Sequence, residues 1–106
     1  MRNQKTVVSD FTGFTSGQWT ITKDHIEDGR SVGTVGPHSA TLSAEEIIEH
    51  GHHFKMYDAD GNLYYEGYST TNDDESAFGP LWDFGMPNAG CSYIEYRGKS
   101  GKYECL

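Results

Sequence analysis

The chain has 106 residues, sixteen acids against eight Lys and Arg, and a formal charge of -8. Leu, Ile, Val and Phe number only 18, which borders on the composition of disordered chains, but seven Tyr and two Trp restore large apolar area per residue. That balance points to one domain over residues 1–106 with an aromatic-rich core. It argues against a membrane span, against direct nucleic-acid binding and against anionic membrane surfaces.

"MRNQKTVVSDFTGF" contains no apolar leader segment, so the expectation is a soluble, cytoplasmic protein. Residues 1–18 are polar and read as a loosely packed N-terminal arm, with "TVVSDF" a candidate edge strand. "QWTITKDHI" alternates, with Trp19, Ile21 and Lys23 on one side and Thr20, Thr22 and Asp24 on the other, which is a strand pattern. Turn-rich sequence follows, with a short strand expected at Ser31 to Val35.

"LSAEEIIEHG" predicts the one clear helix. Ser43 caps it, Glu46 three residues later completes a capping box, and Gly51 is the expected left-handed stop. "HGHHFKMYDADGNLYYEG" predicts a hairpin turning at Asp60-Gly61, in which Tyr57 pairs with Tyr64, Met56 with Tyr65, Lys55 with Glu66 and His53 with Tyr68. One face then carries Phe54, Met56, Leu63 and Tyr65, and the other His53, Lys55, Tyr57, Tyr64, Glu66 and Tyr68. Residues 69–90 read as a long Gly/Pro-punctuated loop whose Phe78, Leu81, Trp82 and Phe84 pack over the sheet. A second hairpin, "CSYIEYRGKSGKYECL", pairs Arg97 with Lys102, Tyr96 with Tyr103 and Ile94 with Cys105. The expected fold is α+β: a single antiparallel sheet of about 4–5 strands built from two hairpins, one short helix and the long aromatic loop.

Several chemistries can be weighed at named residues. "DADGN" fails the EF-hand pattern, because Gly61 is fourth from Asp58 and Ser69 stands where the twelfth-position Glu belongs. Glu46, His50, His52 and His53 are the candidate metal ligands, and a small metal-dependent enzyme built on them is one alternative reading. The zincin pattern is absent, however, and Gly51 breaks the helix before the last two histidines, so the rings diverge and no cofactor or metal is expected. Cys91 lacks a recognisable base motif and reads as a half-buried thiol rather than a nucleophile. Cys91 and Cys105 are expected to be reduced, a disulfide closing the second hairpin being the alternative. No catalytic residue is assigned.

Charge is segregated. Residues 45–95 hold eleven acids against Lys55 alone, while residues 1–44 are balanced and the last eleven are net positive. Acids and tyrosines coincide in this middle segment, which predicts a protein-binding surface: Asp73, Asp74 and Glu75 for steering, and Tyr57, Tyr64, Glu66 and Tyr68 for contact. "FKMYDADGNLYYEG" followed by "FGPLWDFGMPNAGCSYIEYRG" resembles small acidic proteins of bacterial phages and other mobile elements, a group that includes anti-CRISPR inhibitors. The resemblance covers residues 50 to 98. It implies a non-enzymatic inhibitor that modulates a basic, nucleic-acid-binding protein such as a CRISPR nuclease. An accessory domain without inhibitory role is the remaining alternative.

Overall fold

The structure is a computed structural model that describes residues 17–72 and 75–106. "TVVSDF" lies outside the described residues, and of the expected arm only Gly17 and Gln18 are described. Gln18 is buried, not loosely packed: its Oε1 accepts the N–H groups of Thr41 (3.0 Å) and Leu42 (2.9 Å).

Strands β1 (Trp19–Asp24), β2 (Val35–Gly36), β3 (His52–Tyr57), β4 (Leu63–Ser69), β5 (Tyr93–Arg97) and β6 (Tyr103–Cys105) form one sheet in the order β2-β1-β4-β3-β5-β6. Every pairing is antiparallel. The α+β architecture is as expected, with six strands rather than four or five and two helices rather than one among the described residues. The short strand expected at Ser31 to Val35 is β2, displaced to Val35–Gly36.

One face of the sheet is the core. Trp19, Ile21, Phe54, Met56, Tyr65, Ile94 and Tyr96 are all buried there, with Phe54 and Met56 wholly so. Residues 75–91 cover this face, and residues 75–89 are helical where a loop was expected. A 3₁₀ turn (Glu75–Phe78), a π turn (Leu81–Gly85) and helix α2 (Met86–Ala89) contribute Ala77, Leu81 and Phe84, and Cys91 follows. Phe84 lies between Trp19 and Tyr65, at ring separations of 5.6 and 4.9 Å. The Tyr96 hydroxyl donates to the Ala77 carbonyl at 2.8 Å, tying cover to sheet. Burial of a side chain the size of Leu81 or Phe84 contributes roughly 1.5–3 kcal/mol. Trp82 departs from the packed reading, because it is 54% exposed.

Helix α1 (Ala44–His50) packs against β1 and β4 with Ile47 buried. Its capping box is complete: Ser43 N–H donates to Glu46 Oε1 (2.9 Å) and Glu46 N–H to Ser43 Oγ (3.2 Å). Gly51 does not adopt the expected left-handed stop, since its φ is -97°. It is required for space: a Cβ there would lie 2.4 Å from the Ile47 carbonyl oxygen and 2.9 Å from that of Ser69.

Three other expectations change, each by an offset that reverses a face. A bulge between Ile21 and Lys23 leaves Lys23 exposed and buries Asp24. A second bulge follows Met56, so Tyr57 pairs with Leu63 rather than Tyr64. Leu63 is therefore only half-buried, while Tyr64 turns to pack against the core cluster. In the last hairpin, Gly98 N–H donates to the Lys102 carbonyl at 2.7 Å, leaving the three-residue loop Lys99–Ser100–Gly101 with Gly101 at φ 87°. Arg97 then pairs with Tyr103 and Glu95 with Cys105, one residue away from the expected register. Cys91 is buried, Cys105 is exposed, and both are free thiols. Among the described residues no helix is long and apolar enough to cross a membrane.

Candidate functional site

On β3, Phe54 and Met56 enter the core, so His53, Lys55 and Tyr57 face the other way. Glu66 lies opposite Lys55 on β4 and Tyr68 opposite His53, as expected from the sequence. On the other flank Glu95 pairs with Lys55, and Arg97 with Tyr103. This open face carries a polar chain built from four different parts of the sequence.

The Tyr103 hydroxyl is 2.6 Å from His53 Nδ1. His53 Nε2 faces Glu66 Oε1 at 3.3 Å, and His25 Nε2 lies 2.8 Å from the second oxygen, Oε2. Glu66 is only 8% exposed, so its carboxylate relies on these neighbours in place of water. An ionised carboxylate only accepts, which assigns the His53 proton to Nε2 and leaves Nδ1 to accept the Tyr103 O–H. The direction of the His53 pKa agrees with a neutral ring. Burial lowers it, the Glu66 charge opposes this, and the Arg97, Lys55 and Lys23 charges lower it further; the net direction is down. His25, immediately after β1, is anchored by its N–H on the Tyr64 carbonyl at 2.9 Å.

The surrounding rings complete the face. Tyr68 meets His53 edge-on at 5.0 Å, and the Lys55 ammonium sits 4.2 Å over the Tyr103 ring. Tyr57 stacks on Tyr93 at 5.0 Å. Burial raises the Tyr57 pKa, and its hydrogen bond to Glu95 raises it further.

His53, Glu66 and Tyr68 of the expected residues therefore come together, with Tyr57 one step along β3. Tyr64 does not join them; its hydroxyl donates to Asp58 Oδ2 at 3.0 Å on the core side of the bulge. Glu75 is exposed on the 3₁₀ turn, while Asp73 and Asp74 lie outside the described residues. Of the candidate metal ligands, Glu46 is engaged in the capping box, His50 is exposed at the end of α1, and both ring nitrogens of His53 face partners. Among the described residues, no group of three or more His, Cys, Asp or Glu is arranged to hold a metal ion. Burial, and secondarily the Asp58 charge, pushes the Cys91 thiol up to about 11, which disfavours the nucleophilic thiolate.

His25 and Tyr103 were not anticipated. His25 reaches Glu66 only because β1 lies beside β4, and Tyr103 reaches His53 only through the shifted register of β6. The three-residue loop ending in Gly101 was the available signal for the latter. A second unanticipated feature lies on the covering segment. The Phe78 and Trp82 rings are stacked at 5.0 Å, and Trp82 and, four residues on, Met86 (49%) are exposed beside the exposed Asp83.

Together these features define an α+β protein with a six-stranded antiparallel sheet, an internally bonded polar face and an exposed aromatic patch on the cover. No protein-family model matches the chain, and no curated protein or solved structure matches it either.

Proposed function

We propose that this chain is a non-enzymatic binding protein that docks on a basic protein surface and thereby modulates its partner. The observation that carries this reading is the exposed Trp82–Met86 patch, with Phe78 stacked behind it and the Glu75 and Asp83 carboxylates on the same segment. Trp and Met are interface anchors, and acids around an apolar anchor select a Lys/Arg-rich partner and accelerate its approach. Asp73 and Asp74 precede this segment and extend its negative charge in sequence. On the open face, by contrast, the polar tips of Tyr57 and Glu66 are occupied within the chain, and Tyr64, on the core side, is bonded to Asp58. The contact therefore moves to Trp82, while the steering role stays with Asp73, Asp74 and Glu75.

A nucleic-acid-processing enzyme is the partner class with the fitting chemistry, since its phosphate-binding channel is lined by Lys and Arg. A nuclease of a bacterial defence system, including CRISPR nucleases, belongs to that class, and its inhibition is the biological role we propose. The test is capture from bacterial lysate followed by affinity measurement on the purified partner. We expect a nucleic-acid enzyme whose binding weakens with salt, roughly a thirtyfold loss with Trp82→Ala, and slower association when Asp73, Asp74 and Glu75 are changed to Lys. Binding that ignores salt and both sets of substitutions would overturn the reading.

A further inference from the structure

We propose that the cleft at the end of the sheet where β3 begins and β4 and β5 end is a binding site for a phosphate monoester. The cleft has a volume of about 440 Å³ and is lined by Gly51, His52, His53, Asn72, Arg97, Gly98 and Lys99. That size is at the lower end of small-molecule sites. The chain carries twice as many acids as bases, yet among the described residues none that lines this cleft is acidic, and every lining side chain can donate a hydrogen bond.

The donors differ in availability. His53 is committed to Tyr103 and Glu66 and serves as a wall. Arg97 and Lys99 take part in none of the three ion pairs among the described residues. This leaves a planar guanidinium, an ammonium, an amide and the His52 imidazole around one concavity, with two formal positive charges. A phosphate monoester carries about -1.5 to -2 at neutral pH and three acceptor oxygens. It matches that set in charge and in acceptor number, and a guanidinium can bind it with two parallel hydrogen bonds. A carboxylate offers one charge and two oxygens, and so fills the set less completely. Glu104 lines the adjacent cleft, which shares Asn72, Arg97 and Gly98 with this one.

This site is opposite in sign to the docking surface and does not depend on it. The test is a titration of isotopically labelled protein with inorganic phosphate, followed by NMR, with acetate and with chloride at matched ionic strength. Saturable shifts centred on His52, Asn72, Gly98 and Lys99, at least fivefold tighter for phosphate than for acetate, are expected. Arg97→Gln with Lys99→Gln should weaken phosphate binding at least tenfold with the rest of the spectrum unchanged. Asn72→Leu, which blocks the cleft without altering charge, should do the same. Shifts that fail to saturate or that chloride reproduces, equal response to acetate, or full binding by the Asn72→Leu protein would each overturn the site.

Discussion

The hydroxyl of Tyr103 and Nδ1 of His53, fifty residues apart in the chain, meet at 2.6 Å on the open face of the sheet. The bond fastens the last strand to the central one, since among the described residues β6 is otherwise paired only with β5. Tyr103→Phe isolates the hydroxyl, because the aromatic ring under Lys55 is kept. It leaves a half-buried acceptor without its donor, at an expected cost of about 1 kcal/mol. For a domain of this size that lowers the thermal midpoint by about 4–8 °C, measured by circular dichroism. An unchanged midpoint would show that the bond contributes nothing net.

His53 links the same chain of contacts to pH. Its pKa is lower in the folded protein than the ordinary 6.5. The unfolded chain therefore binds a proton more readily, and the stability associated with a neutral His53 is present above about pH 6.5 and lost as pH falls through the folded value. Unfolding by urea should show a declining midpoint between about pH 7 and about pH 5, and His53→Gln should flatten that decline. A variant that follows the wild-type profile would assign the pH dependence elsewhere.

The central hairpin was legible because its turn residues and its face chemistry demand the same register, and the pairs from His53–Tyr68 to Met56–Tyr65 are found as expected. Bulges have no comparable signature. One inserted residue reversed Tyr64, another reversed Asp24, and neither changes composition or hydrophobic period. Half of the polar network was visible in the same way: Glu66 and His53 sit on one predicted face, but their outer partners depend on strand order and on a one-residue shift in the last hairpin. The covering segment was read as loop because its Gly and Pro residues suppress helical signals. In the structure Gly90 supplies the left-handed stop of α2 and Pro87 lies in its first turn.

Gly51 and Gly101 offer a comparison between space and handedness. Gly101 is left-handed but open, with nothing within 4 Å of an added Cβ, so Gly101→Ala should cost about 1 kcal/mol of backbone strain. Gly51 has an ordinary φ, yet an added Cβ would meet two backbone oxygens that cannot rotate away. Gly51→Ala should therefore cost more, about 2–3 kcal/mol, by forcing α1 away from β4. Chemical denaturation of the two variants decides it; equal losses would mean that the helix shifts freely.

Asp58 closes the central hairpin with one carboxylate. Its Oδ1 accepts the N–H groups of Asp60 and Asn62, both at 2.9 Å, and its Oδ2 accepts from Asn62 Nδ2 (2.9 Å) and Tyr64 Oη (3.0 Å). The Asn62 side chain, the Asn62 N–H and the Tyr64 hydroxyl favour the ionised form, and the carboxyl is held down at about 2 against an ordinary 3.8. A depressed acid stabilises the fold above its unfolded value and loses that contribution as pH falls through the folded one. The wild-type urea midpoint should drop between about pH 4 and about pH 2 by more than that of Asp58→Asn, which keeps one acceptor oxygen but no charge. Tyr64 should respond as well, because the Asp58 hydrogen bond and charge are the leading causes that raise its pKa. In Asp58→Asn the phenol should ionise at lower pH, readable by ultraviolet absorbance, and a titration identical to wild type would place the Tyr64 hydroxyl out of reach of that carboxylate.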